Sequence, residues 1–150
     1  MLSSLFIGPT AALVDDVLAA VVGTVAVIGA PKLARALSER GRSVIAVADV
    51  PRSLKRLRGA GISAAAQSLP VGDGALAAAV GVGAGALDQW EELVREWSRA
   101  VVEGGCVVMI DRGPAAELSR RALCAGLMDI RQRSAGRVIA TSGWVAKLPG

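Results

Sequence analysis

Residues 25–49, VAVIGAPKLARALSERGRSVIAVAD, constrain the fold more than any other part of the chain. A short apolar run leads into a glycine turn, an amphipathic stretch, a second glycine and another apolar run that closes on an acid. That order predicts strand, turn, helix, strand, the opening unit of a nucleotide-binding α/β domain. Pro31 suits the first turn of the helix, where its missing N–H costs nothing. The turn Gly29-Ala30-Pro31-Lys32-Leu33-Ala34 keeps only one of the glycines that such turns use to let backbone approach a cofactor.

The same alternation continues to the end of the chain. The pattern predicts a leading helix over 11–22 with Thr10 as N-cap, a strand over 25–29, and a helix over 32–40 stopped by Gly41. A strand over 44–48, a short basic helix from Pro51 to about Gly59, and a strand over 62–66 follow. Residues 77–83 predict a further strand. In 86–102, Trp90, Leu93, Val94, Trp97 and Val101 form one helical stripe. A Gly104-Gly105 turn, a strand over 106–111 and a helix from Pro114 to Gly126 come next. The last pair of strands, 127–132 and 138–146, turns at Ser134-Ala135-Gly136.

These elements predict an α/β fold. It is a Rossmann-like three-layer α/β/α sandwich with a seven-stranded, mostly parallel sheet and a C-terminal antiparallel hairpin. Residues 1–150 read as a single domain, with 1–22 a leading segment and helix and 23–150 the α/β core. The 53% hydrophobic content, much of it Ala and Val, suits a parallel sheet buried on both faces.

Composition narrows the chemistry. The chain has no His and no Tyr. That removes the commonest general base, the imidazole metal ligands and any Ser-His or Cys-His pair. Cys106 and Cys124 match no metal-ligand spacing and read as small buried hydrophobes, so no metal is expected. The uncharged run 17–30 is about 14 residues long, short of the roughly 20 a spanning helix needs. No basic segment precedes it, so a cytoplasmic chain without a membrane span is expected. Net charge is +4 and concentrates in Lys32, Arg35, Arg40, Arg42, Arg52, Lys55, Arg56 and Arg58. This stretch is either a footprint for an anionic partner or a pair of solvated helix faces.

Two later stretches carry a family resemblance. LPVGDGALAAAV, residues 69–80, is similar to LPFPDGSFDAVV, and REWSRAVVEGGCVVMID, residues 95–111, is similar to REIARVLRPGGRLVLVD. Both patterns belong to the class I S-adenosylmethionine-dependent methyltransferases, and the opening unit fits that family's first two motifs. The chain resembles small single-domain members over roughly residues 10–148. The resemblance implies cofactor contacts at Gly29, Ala30, Asp49, Val50, Leu69 and Gly83, with S-adenosylmethionine as the cofactor and no catalytic residue singled out.

Several polar positions of that family are changed here. The acid two residues before the first glycine is Val27. The next two glycines are Pro31 and Leu33. The acids near the third strand and at the start of the fourth are Ala65 and Ala77. Asp49 survives, 20 residues after Gly29, where the family binds the ribose; it also suits a cap on the helix from Pro51.

The leading expectation is a methyltransferase-fold protein that has lost catalysis and serves as a binding or assembly module. Its partner would be a protein or a second copy, with Met1–Pro9 and Arg52–Arg58 as candidate surfaces. A second reading is an active methyltransferase on a small molecule, which works mainly by aligning donor and acceptor. A third is nucleic-acid binding through residues 32–58, which no aromatic residue interleaves. Gly29-x-Pro31-x-x-Ala34 with Asp49 is also a damaged dinucleotide fingerprint, which would imply NAD.

Overall fold

The computed structural model describes residues 4–47, 69, 71–83 and 90–147. In chain order these form α1 (Ser4–Val17), β1 (Val25–Ile28), α2 (Pro31–Glu39), β2 (Val44–Val47), β3 (Leu76–Val82), α3 (Trp90–Ala100), β4 (Val101–Asp111), α4 (Ala115–Cys124), β5 (Met128–Ala135) and β6 (Val138–Trp144). Six strands make one sheet in the order β2-β1-β3-β4-β6-β5. The first four run parallel, and β6 alone runs against its neighbours. The expected α/β class and C-terminal hairpin are therefore present. The expected strand over 62–66 and the helix from Pro51 lie outside the described residues.

Two apolar layers sandwich the sheet, as the period-two alternation of strand side chains requires. Val25 and Val27 of β1 pack with Ala78, Val80, Val108 and Ile110 under α1 and α2. Ala26 and Ile28 pack with Ala79, Val107 and Met109 under α3, through Leu93, Val94, Trp97 and Ala100. All four residues of β1 are buried. Gly81 is fixed by this packing, because a Cβ there would overlap the Trp97 ring.

Helix α1 starts earlier and ends sooner than its pattern suggests. Thr10 is not its N-cap but an interior residue, 1% exposed. The early end has a partner distant in sequence. Arg42, just before β2, donates to the carbonyls of Leu18 at 3.0 Å and Val21 at 3.3 Å, and its Nε donates to Asp15 Oδ1 at 2.6 Å. A guanidinium thus ties down the turn that follows the helix through charge-assisted hydrogen bonds.

Other boundaries move by a few residues. β4 already begins at Val101, so Val101 extends the strand and not the α3 stripe. The Gly104-Gly105 turn lies within β4 as an irregularity, where pairing to β3 jumps from Val101 to Cys106. The final hairpin closes at Ala135–Val138, leaving the two-residue turn Gly136-Arg137. Gly136 has φ 61 at the first central position, the conformation a type II′ turn demands.

Candidate functional site

Helices α2 and α3 cover opposite faces of the sheet, and β1 and β3 are adjacent parallel strands. The carboxyl ends of β1 and β3 therefore flank a topological switch point, where open α/β sheets bind ligands. Gly29 follows β1 and Gly83 follows β3. The pairing of Ile28 with Gly81 brings the two glycines to the same edge. Both have φ 79, a conformation glycine adopts freely. Gly29 N–H donates to Val47 O at 3.0 Å, and Gly83 N–H to Ile110 O at 2.8 Å. Their amides thus serve the backbone of neighbouring strands.

Ala30 is the N-cap of α2 and is 8% exposed. It has no side-chain oxygen, so no capping bond forms, and Pro31 brings no N–H to the first turn. Val27 and Leu33 are fully buried in the α1–α2 layer. Leu33 is therefore a core residue. The groove beside this turn, about 410 Å³, lies on the outer side of α2 and is lined by Ile7, Pro31, Lys32, Arg35, Ala36 and Glu39.

Asp49, Val50 and Ala65 lie outside the described residues. Ala77 sits at the opposite, amino-terminal edge, about 20 Å from Gly83 at roughly 3.3 Å per strand residue. Ala77 N–H donates to Thr24 O at 2.8 Å. Leu69 is 6% exposed, and its N–H donates to Glu96 Oε2 at 2.8 Å. The reason for Ala77 is topological, because it is the second residue of β3, and residues 71–75 lead into that strand.

That lead-in is clamped by α3. Arg99 donates to Asp73 at 2.7 Å, to Glu96 Oε2 at 2.6 Å, to Val71 O at 3.2 Å and to Leu69 O at 3.4 Å. The hydrogen bond from Arg99 holds the Glu96 carboxyl below its usual range, against the opposing effect of burial. The two stretches that carry the family resemblance are thus bonded to each other.

Sequence reading missed one residue at the ligand-side edge. Asp111 ends β4, is 7% exposed, and is the buried charged residue of the described set. The available signal was an acid closing the apolar run CVVMID. Trp90 opens α3, and Arg121 of the last turn of α4 lies over it, with the guanidinium 5.1 Å from the indole centroid. Arg120 and Arg121 hold the Glu117 carboxyl down to about 2, so it stays ionised and is a weak base. Burial pushes the Cys106 thiol up to about 11, so it is protonated at neutral pH. Cys124, in contrast to the expectation, is exposed.

The basic stretch is partly neutralised. Arg40 and Arg42 both bind Asp15, while Lys32 and Arg35 are exposed; Arg52, Lys55, Arg56 and Arg58 lie outside the described residues. No group of three or more metal-ligating side chains occurs among the described residues, and no described helix is long and apolar enough to cross a membrane.

No family model and no curated protein matches the sequence. Solved structures do match. An S-adenosylmethionine-dependent methyltransferase candidate from Methanococcus maripaludis superposes with a TM-score of 0.65 at 15% identity, over 97% of this chain and 89% of that one. A methyltransferase of the same dependence from Aquifex aeolicus gives 0.61 at 13% identity, over 97% and 100%. A methyltransferase candidate from Haloferax volcanii, solved in complex with a methyltransferase activator, gives 0.59 at 13% identity, over 91% and 90%. Likeness at this identity speaks for architecture, and the architecture of this chain is the class I S-adenosylmethionine-dependent methyltransferase fold.

Proposed function

We propose that this chain is a methyltransferase-fold protein that does not use S-adenosylmethionine as a methyl donor and instead works as a binding module for a protein partner. One observation carries the reading: the β1–α2 turn offers a ligand no polar side chain from Val27 through Pro31. Val27 is buried in apolar contacts, Ala30 caps without a hydrogen bond, and Pro31 lacks an amide donor. A hydrogen bond involving a charged group contributes about 1.5–3 kcal/mol. Two such losses weaken a cofactor about a hundredfold or more, at tenfold per 1.4 kcal/mol.

Ala77 lies at the edge remote from the switch point, so the missing acid there says nothing about a pocket. The reading rests on the β1–α2 turn alone. The complex formed by the Haloferax volcanii neighbour gives a precedent for protein partnership in this fold. Calorimetric titration with S-adenosylmethionine tests the proposal, and tight stoichiometric binding overturns it.

A further inference from the structure

The described arginines divide into two sets. Arg40 and Arg42 bind Asp15, Arg95 binds Glu91, Arg99 binds Glu96 and Asp73, and Arg120 and Arg121 bind Glu117. Arg35, on α2, and Arg112, Arg133 and Arg137 have no carboxylate partner among the described residues, and all four are exposed. The last three lie together. Arg112 follows the end of β4, Arg137 is in the β5–β6 turn, and Arg133 is two residues from the end of β5. The pairings Asp111–Ile139 and Ser134–Ile139 bring these positions to one corner of the sheet.

That corner borders a strand edge with no partner among the described residues, because β5 is last in the strand order. The two-residue turn makes Ala135–Val138 a hydrogen-bonded pair. Alternation along an antiparallel ladder then makes Arg133–Ala140 a bonded pair as well, with Ser134 and Gln132 unbonded to β6. The N–H and C=O groups of Ser134 and Gln132 therefore point out of the sheet. Arg131 and Arg133 share one face, the face on which Ala140 packs beneath α1 and α2. Arg131 reaches Asp129 at 3.4 Å, and that pair is exposed.

We propose that β5 docks an extended acidic segment of another protein, which adds to the sheet as a seventh described strand with carboxylates at alternate positions opposite Arg131 and Arg133. Main-chain bonds to Ser134 and Gln132 supply the pairing, and cross-strand opposite charges supply the selection. A second copy of this chain is a poor occupant, since pairing β5 with β5 sets arginines against arginines. A nucleic acid is disfavoured because the described residues of β5 and its turn include no aromatic ring for base stacking. The inference rests on the reading of the chain as a binding module and names the chemistry of its partner.

Fluorescence anisotropy on the intact chain tests it, with three dye-labelled probes: a ten-residue peptide alternating Glu and Val, its Lys counterpart, and a ten-nucleotide oligouridylate. The Glu peptide is expected to bind saturably, at least tenfold tighter than the other two. Arg131→Glu with Arg133→Glu should reverse the preference between the peptides. Ser134→Pro removes an outward amide and leaves every charge in place, so it should weaken binding at least tenfold; thermal melts check that each variant stays folded. Absent or equal binding of the two peptides, unchanged binding by Ser134→Pro in a folded protein, or preference for the oligouridylate overturns the proposal. Tight S-adenosylmethionine binding alongside peptide capture would overturn the module reading alone, so the two failures are distinguishable.

Discussion

Arg99 of α3 and Asp73 of the lead-in to β3 are joined at 2.7 Å, and the Arg99 carbonyl accepts the Gly74 amide at 2.9 Å. Asp73 is largely exposed, so that ion pair alone contributes little. The fork matters through its further bonds to Glu96 and to the carbonyls of Leu69 and Val71. Arg99→Ala is expected to cost about 1–2 kcal/mol in urea unfolding, after allowance for the one-third exposure of its side chain. Arg99→Lys should recover less than half, because an ammonium cannot reproduce the fork. A loss below the error of the measurement would show that this clamp is ornamental.

Acid should loosen the molecule in a defined direction. Burial pushes the Asp15 carboxyl up, but hydrogen bonds from Arg42 and Arg40 outweigh it and leave it below the usual range. Arg99 does the same for Glu96. A carboxyl held low in the folded state contributes stability that is present above its unfolded value, about 4, and is lost as pH falls through the folded value. Melting temperature should hold steady from pH 7 to about 5 and then drop. In Asp15→Asn the drop should be shallower, from a lower starting stability. A parallel pair of curves would contradict the role given to Asp15.

Glycine cannot be restored freely at Leu33. The side chain is fully buried between α1, α2 and the sheet, so Leu33→Gly should cost at least the 2–5 kcal/mol typical of a core leucine truncation, with helix propensity adding to the loss. The variant should gain no S-adenosylmethionine binding. Binding that appeared together with retained stability would show that Leu33 acts as a plug in the crevice.

The two thiols should differ sharply. Cys106 is buried and its thiol is pushed up to about 11, whereas Cys124 is exposed beside Arg120. Iodoacetamide at pH 8 should add one group to the native protein and two to the denatured one, as read by mass spectrometry. Two native adducts would place Cys106 within reach of solvent.

The sheet was legible because its signals are local. Buried parallel strands write continuous apolar runs, and Gly41 and Gly126, at φ 94 and 93, mark helix ends. The hidden features depend on residues far apart in sequence. Thr10 reads as a cap, yet the helix starts at Ser4 and Thr10 is buried in its interior, while its end is held by Arg42, far along the chain. Ala77 reads as a lost polar position because the resemblance aligns a motif, and a motif does not state which edge of the sheet it occupies. Leu33 reads as a lost glycine, yet its burial makes it a core residue. Asp111 was visible as an acid after five apolar residues, but only the sheet order shows that it shares an edge with Gly29 and Gly83.

On the proposed function, the β1–α2 turn does not hold S-adenosylmethionine. Isothermal titration of the intact chain at pH 7.5 measures it directly. No saturable heat is expected up to millimolar S-adenosylmethionine. One-to-one binding in the micromolar range or tighter would contradict it.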